Sequence, residues 1–248
     1  MRAPHWLIER PIAHRGLHAA DKGIIENTPS SVRAAIAGGF GIEVDLQLSA
    51  DFEAMVYHDD ALGRLTEGNA PLRSLRAEEL KRVPFRATSD CMFTLGELCD
   101  LVAGRVPLIL EMKSQFDNDV NLVRRIADVL KTYSGPVAAM SFDPHQVALL
   151  RELAPTLTRG IVAQSHYDDA EWSIAPPEAR ARMRHLRHAF ATRPHFIAYW
   201  VRDLPAPAPW IARHIFGCPI LTWTVRTQAQ RDHARRHADQ MIFEGFVP

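Results

Sequence analysis

Short apolar runs of four to seven residues alternate along the chain with longer segments in which apolar positions recur every three or four residues. The short runs predict eight strands, over residues 11–14, 42–47, 107–112, 136–141, 159–164, 195–200, 219–225 and 240–244. Between them the pattern predicts seven helices, over 28–39, 94–103, 119–133, 144–153, 177–190, 207–216 and 227–237. The first of these has Pro29 near its start and Gly38 and Gly39 at its end, the asymmetry that helix termini favour. Strand and helix in repeated alternation predict a parallel sheet, and eight strands predict its closure into an α/β fold of the (β/α)₈ TIM-barrel type. No helical pattern follows the last strand before Pro248. The competing doubly wound open sheet lacks its usual mark, a glycine-rich phosphate loop after the first strand. Residues 59–93 break the rhythm, being polar, turn-rich and too long for a simple connection. They are expected to form a small insertion after the second strand, capping one barrel end within a single domain spanning 1–248.

Composition narrows the partners. The chain has 248 residues, 47% of them hydrophobic, enough for one large core. Lys plus Arg equals Asp plus Glu at 29 each, so no global field favours nucleic acid or an anionic membrane. The run 179–193 is locally basic, but without interleaved aromatics it reads as a solvated helix face. Three cysteines with no CxxC pair argue against a disulfide framework and for a reducing compartment. No apolar run is long enough for a signal peptide or a membrane span, so a cytoplasmic protein without membrane insertion is expected.

The chemistry gathers at predicted strand ends, where a barrel of this type builds its active site. Glu43 and Asp45 lie two apart on the second strand and so share a face. Two acids in one small space need a positive partner, either a basic side chain or a metal ion. Glu111 closes the third strand, and three carboxylates without cysteine form a hard oxygen shell suited to Mg²⁺ or Ca²⁺; zinc stays open through the nearby histidines. The alternative is a structural ion-pair cluster in which Arg15 or Lys113 neutralises the acids. His14 follows the first strand and His58 the extended piece 52–57. Two imidazoles fit a two-proton task, one removing a proton from a nucleophile and the other protonating a leaving oxygen. Arg15 and Lys113 would hold an anion, a metal would offset charge on its oxygens, and phosphodiester cleavage uses all of these parts. Trp223, at the end of the seventh strand, is a candidate apolar wall for the substrate or else ordinary barrel packing.

The strings IAHRG (12–16), ENTPSS (26–31), EVDLQLSADFEAMVYHD (43–59) and LILEMKS (108–114) resemble the glycerophosphodiester phosphodiesterase family, more thinly after residue 114. The resemblance implies a TIM barrel with His14 and His58 as general acid and base, and Glu43, Asp45 and Glu111 as ligands of a divalent metal. It puts Arg15 and Lys113 on phosphate, gives Glu26 and Asn27 a supporting part in the loop, and makes residues 59–93 the family's capping subdomain. The implied reaction is hydrolysis of a small glycerophosphodiester to glycerol 3-phosphate and an alcohol, with lysophospholipase D-type cleavage or non-catalytic phosphate binding as alternatives. Two positions depart from the pattern. Asp51-Phe52 stands where the family has Asp-Gly, so that hairpin is expected to turn differently, and the chain ends FEGFVP rather than in an Ile-Thr-Asp-x-Pro type segment.

Overall fold

The computed structural model describes residues 3–248. Its strands are β1 (Ile12–Ala13), β2 (Gly41–Leu48), β3 (Ala54–Val56), β4 (Leu108–Met112), β5 (Val137–Ser141), β6 (Thr158–Ala163), β7 (Phe196–Trp200), β8 (Ile220–Val225) and β9 (Gln240–Phe243). The helices are α1 (Trp6–Glu9), α2 (Pro29–Gly38), α3 (Ala77–Leu80), α4 (Leu95–Val102), α5 (Asn121–Leu130), α6 (Pro144–Leu153), α7 (Pro177–Arg184), α8 (Ala189–Thr192), α9 (Pro207–His214) and α10 (Gln228–His237). The hydrogen-bonding order is β1-β9-β8-β7-β6-β5-β4-β2, and β1 also pairs with β2, which is the eight-stranded ring of a (β/α)₈ barrel. The ninth strand, β3, lies outside that ring as an antiparallel partner of β2.

The chain divides into two compact units. One comprises residues 13–113 and 121–137. Here β2 is buried along its whole length and pairs in parallel with β4, setting Asp45 opposite Glu111. Helix α2 begins where Thr28 accepts a hydrogen bond from the Ser31 N–H and the Ser31 side chain accepts one from Thr28, with Pro29 in the first turn. The turn from β2 to β3 places Phe52 at φ +63°, so it uses left-handed backbone even though the residue carries a side chain. Residues 57–93 hold more apolar packing than their polar composition predicts: Tyr57, Leu62, Leu72, Leu80, Phe85 and Met92 form a core with Ile25 and Met55.

The other unit comprises residues up to Ile12, 114–120 and 138–248. Strands β5 to β9 form a parallel ladder within it. Before the barrel's first strand, α1 touches β9, and the Gln240 amide donates to the Ile8 carbonyl at 2.9 Å. The predicted helix 177–190 is two helices, α7 and α8, broken at the buried Leu186, whose φ of +52° is incompatible with a continuous helix. Likewise, the first predicted strand shrinks to Ile12–Ala13, since Arg15 and Gly16 take φ of +55° and +78°. Among the described residues, no helix is long and apolar enough to cross a membrane.

Candidate active site

Every polar residue singled out near the first three predicted strands lies in the unit formed by 13–113 and 121–137. The loop after β1 is pinned onto the start of α2. The Arg15 carbonyl accepts from the Asn27 N–H at 2.9 Å and from the Ser31 hydroxyl at 3.1 Å. Gly16 must be glycine here, because a Cβ would meet Ser31 Oγ at 2.4 Å and its φ of +78° disfavours side chains. This turn aims the Arg15 N–H at Glu43, to whose Oε2 it donates at 2.9 Å. His14 Nε2 stands 3.9 Å from the same oxygen.

Glu43, Asp45 and Glu111 each offer a carboxylate oxygen within 4.8 Å of the others, and all three are buried. Asp45 receives Asn27 Nδ2 at 2.8 Å and Lys113 Nζ at 2.8 Å, with Arg15 Nε at 3.2 Å. Lys113 Nζ also donates to Glu111 at 2.7 Å. Thus the two cations expected to face a phosphate are here held by the acids. Burial would push the Asp45 carboxyl up, yet Lys113 and Arg15 outweigh it and hold it well below the usual range, with His58 and His14 adding to the pull. Lys113 correspondingly stays charged above its ordinary range, because Asp45 and Glu111 outweigh its burial.

Glu43 differs from its neighbours. Its Oε1 is buried without a hydrogen-bond partner, and burial followed by the charges of Asp45 and Glu111 pushes its carboxyl well above the ordinary value. A buried carboxylate oxygen left unpaired among two further acids is costly, and a hard divalent cation is the group whose charge would relieve it. The donor set fits such an ion: three oxygen ligands, of which one has an unused lone pair.

His58 is anchored from two sides. Its Nδ1 lies 2.7 Å from Asp59 Oδ1, and the Gln47 amide donates to its carbonyl at 3.0 Å. Asp59 takes Arg64 Nε at 2.7 Å, Arg64 donates to Glu26 Oε1 at 2.7 Å, and the same oxygen accepts from Arg15 at 2.7 Å. Burial opposes ionisation of both acids, but Arg64 with His58 holds Asp59 below the ordinary carboxylate range and Arg64 with Arg15 does so for Glu26. The support expected of Glu26 and Asn27 is therefore explicit: Glu26 joins two arginines, and Asn27 braces Asp45. Asp59, Arg64 and the clamp by Gln47 were not foreseen; only the adjacency of Asp59 to His58 hinted at them. Trp223 belongs to the other unit, where it stacks on Trp200 with ring centroids 6.4 Å apart and donates to the Ala198 carbonyl at 3.0 Å.

The model of the glycerophosphoryl diester phosphodiesterase family matches residues 14–243. A glycerophosphodiester phosphodiesterase of Caldanaerobacter subterraneus subsp. tengcongensis is 28% identical over 163 residues, covering 62% of this chain and 66% of that protein. A human lysophospholipase D is 27% identical over 144 residues, 54% of this chain and 44% of that one. The chain thus spans less than two thirds of the length of these relatives. Among solved structures, an Oleispira antarctica phosphodiesterase in complex with the product sn-glycerol-3-phosphate superposes with a TM-score of 0.77 at 19% identity, covering 96% of this chain and 93% of that one. By the match over almost its whole length, the chain belongs to the glycerophosphoryl diester phosphodiesterase family.

Proposed function

We propose that the protein hydrolyses small glycerophosphodiesters to sn-glycerol 3-phosphate and an alcohol, using a divalent metal, Mg²⁺ or Ca²⁺, and the two histidines. The observation that carries this reading is the meeting of Glu43, Asp45 and Glu111 beside His14, with one buried Glu43 oxygen unpaired. These three acids would hold the ion, which when bound supplies charge stabilisation to the nonbridging phosphate oxygens.

The chain's own residues account for the proton work. Asp59 is a carboxylate, so the Nδ1 of His58 carries the hydrogen of their 2.7 Å contact and Nε2 is left to take or give the catalytic proton. His14 serves on the other side of the reacting centre as the complementary acid or base. Arg15 and Lys113 bind the phosphodiester anion, exchanging part of their bonds with acids for bonds to its oxygens. Residues 59–93 cap the site and exclude water.

The likeness to a lysophospholipase D favours one second reading, the same cleavage on a lysophospholipid. One assay separates these. Purified protein is incubated with glycerophosphocholine, glycerophosphoethanolamine and a lysophospholipid, with and without chelator. Metal-dependent release of glycerol 3-phosphate from the first two is expected. Turnover of the lysophospholipid alone would transfer the function to the second reading, and no turnover of any substrate with Mg²⁺ or Ca²⁺ present would overturn both.

A further inference from the structure

The region from α7 to the start of β8 carries two features the proposed reaction does not use. The first is an open groove of about 960 Å³, walled by Phe190, Ile211 and Phe216 and edged by Arg184, His185 and Arg193. Its apolar walls face solvent: Phe190 is 89% exposed and Phe216 75%. Trp210 and Ile215, on α9 and just after it, are more than half exposed as well. Soluble surfaces rarely collect exposed apolar side chains such as Phe190, Ile211 and Phe216 around one groove without a partner for them.

The second feature is charge. From α7 to the start of β8, residues 177–220 contain seven arginines and two acids, Glu178 and Asp203, in a chain whose total is neutral. Arg184 and Arg213 are paired with Asp168 and Asp239. The exposed Arg182, Arg187 and Arg193 have no acid partner among the described residues. The basic run that reads in sequence as a solvated face is therefore joined in space to exposed apolar side chains, Phe190 within the run and Ile211 and Phe216 on and just after α9.

We infer that this face is a docking surface for an anionic lipid bilayer. Trp210, Phe190 and Phe216 would enter the interfacial layer, where amphipathic aromatic rings are favoured, and Ile211 and Ile215 would follow them. The arginines would meet the lipid phosphates and be drawn to the negative potential of such a surface. The charge also argues against the simplest rival occupant. A twofold contact with a second copy would set one unpaired arginine patch against the same patch of its twin. Nucleic acid would use the arginines and stack on the aromatics, but has no use for a groove with aliphatic walls.

The test is flotation of the full chain with vesicles of phosphatidylcholine alone or of phosphatidylcholine with phosphatidylglycerol. The protein should float with the anionic vesicles and not with the neutral ones, and added salt should weaken binding. Phe190→Asp with Phe216→Asp, and separately Arg187→Glu with Arg193→Glu, should each reduce partitioning by at least about tenfold. All four positions are exposed, so circular dichroism and hydrolysis of a water-soluble substrate should stay unchanged. As a milder reading, anionic vesicles should blue-shift tryptophan emission in the unaltered chain and less so in Trp210→Phe. Failure to float with anionic vesicles, or equal flotation with neutral ones, overturns the inference. So does a dimer in solution that Phe216→Asp dissociates, or retention of single-stranded DNA in preference to anionic vesicles.

Discussion

Replacing Asp59 by asparagine keeps the shape of the side chain and removes the charge that orients His58. In the structure the Asp59 carboxylate accepts from His58 Nδ1 at 2.7 Å and from Arg64 at 2.7 and 3.1 Å. A hydrogen bond to a charged group contributes about 1.5–3 kcal/mol and a neutral one about 0.5–1.5 kcal/mol, so the substitution costs His58 on the order of 1 kcal/mol. The side chain of Asp59 is 22% exposed, and solvent trims that figure slightly. Asparagine also has a single carbonyl oxygen for which Arg64 and the imidazole compete, so some molecules would present an amide N–H to Nδ1 and hold the wrong tautomer. Together these predict a fall in kcat of about tenfold or more. KM should be almost unchanged, because Asp59 acts through its contact with the His58 imidazole. The assay is steady-state release of glycerol 3-phosphate from glycerophosphocholine at saturating metal. Arg64→Ala, which leaves the carboxylate on His58, should cost no more than about threefold. If Asp59→Asn keeps kcat within about twofold, or if Arg64→Ala costs more than Asp59→Asn, the orienting role is wrong.

Three further outcomes follow from other parts of the molecule. Glu43→Gln should lower turnover by more than about a hundredfold, and thermal unfolding should show that Mg²⁺ or Ca²⁺ at a hundred times its Kd stabilises the parent by about 3 kcal/mol and the variant not at all. Without metal, the variant should be at least as stable as the parent, since it loses a carboxyl crowded by Asp45 and Glu111. His188 is buried with both ring nitrogens unpartnered among the described residues, and burial pushes it down from 6.5 to about 4. Below its ordinary value the unfolded chain takes up a proton that the folded chain refuses. Stability should therefore fall by about 3 kcal/mol as pH drops from 6.5 to about 4, a loss that denaturant melts of His188→Leu should not show. Phe52→Gly should be neutral or stabilising by up to about 1 kcal/mol, as Phe52 is 57% exposed in left-handed backbone; a clear loss of midpoint in urea would show that its ring packs usefully.

What could be read from the sequence was whatever depended on local period. The spacing of Glu43 and Asp45 on a strand fixed their common face, and parallel pairing then brought Asp45 level with Glu111. Helix α2 was legible from Thr28, Pro29 and the terminal glycines, each of which acts within one turn. Residues that act across long separations were not legible. Arg64 reaches Glu26 across 38 positions, and Glu53 reaches Arg125 across 72, with no periodic trace of either pairing. The break at Leu186 was hidden because helical spacing continues through it, while the backbone there takes a left-handed φ. The resting partners of Arg15 and Lys113 were hidden for another reason: sequence shows which charges can meet, and only the packed site shows that acids engage both cations.

The central claim is that the three acids serve a divalent ion rather than a permanent bond to Lys113. A crystal structure of the protein with Ca²⁺ and glycerol 3-phosphate tests it most directly. The account predicts an ion touching Glu43, Asp45 and Glu111, with Lys113 turned from the acids toward the phosphate and both His14 and His58 within hydrogen-bond reach of its oxygens. Density showing Lys113 still bridging Asp45 and Glu111, with calcium bound elsewhere or nowhere, would contradict it.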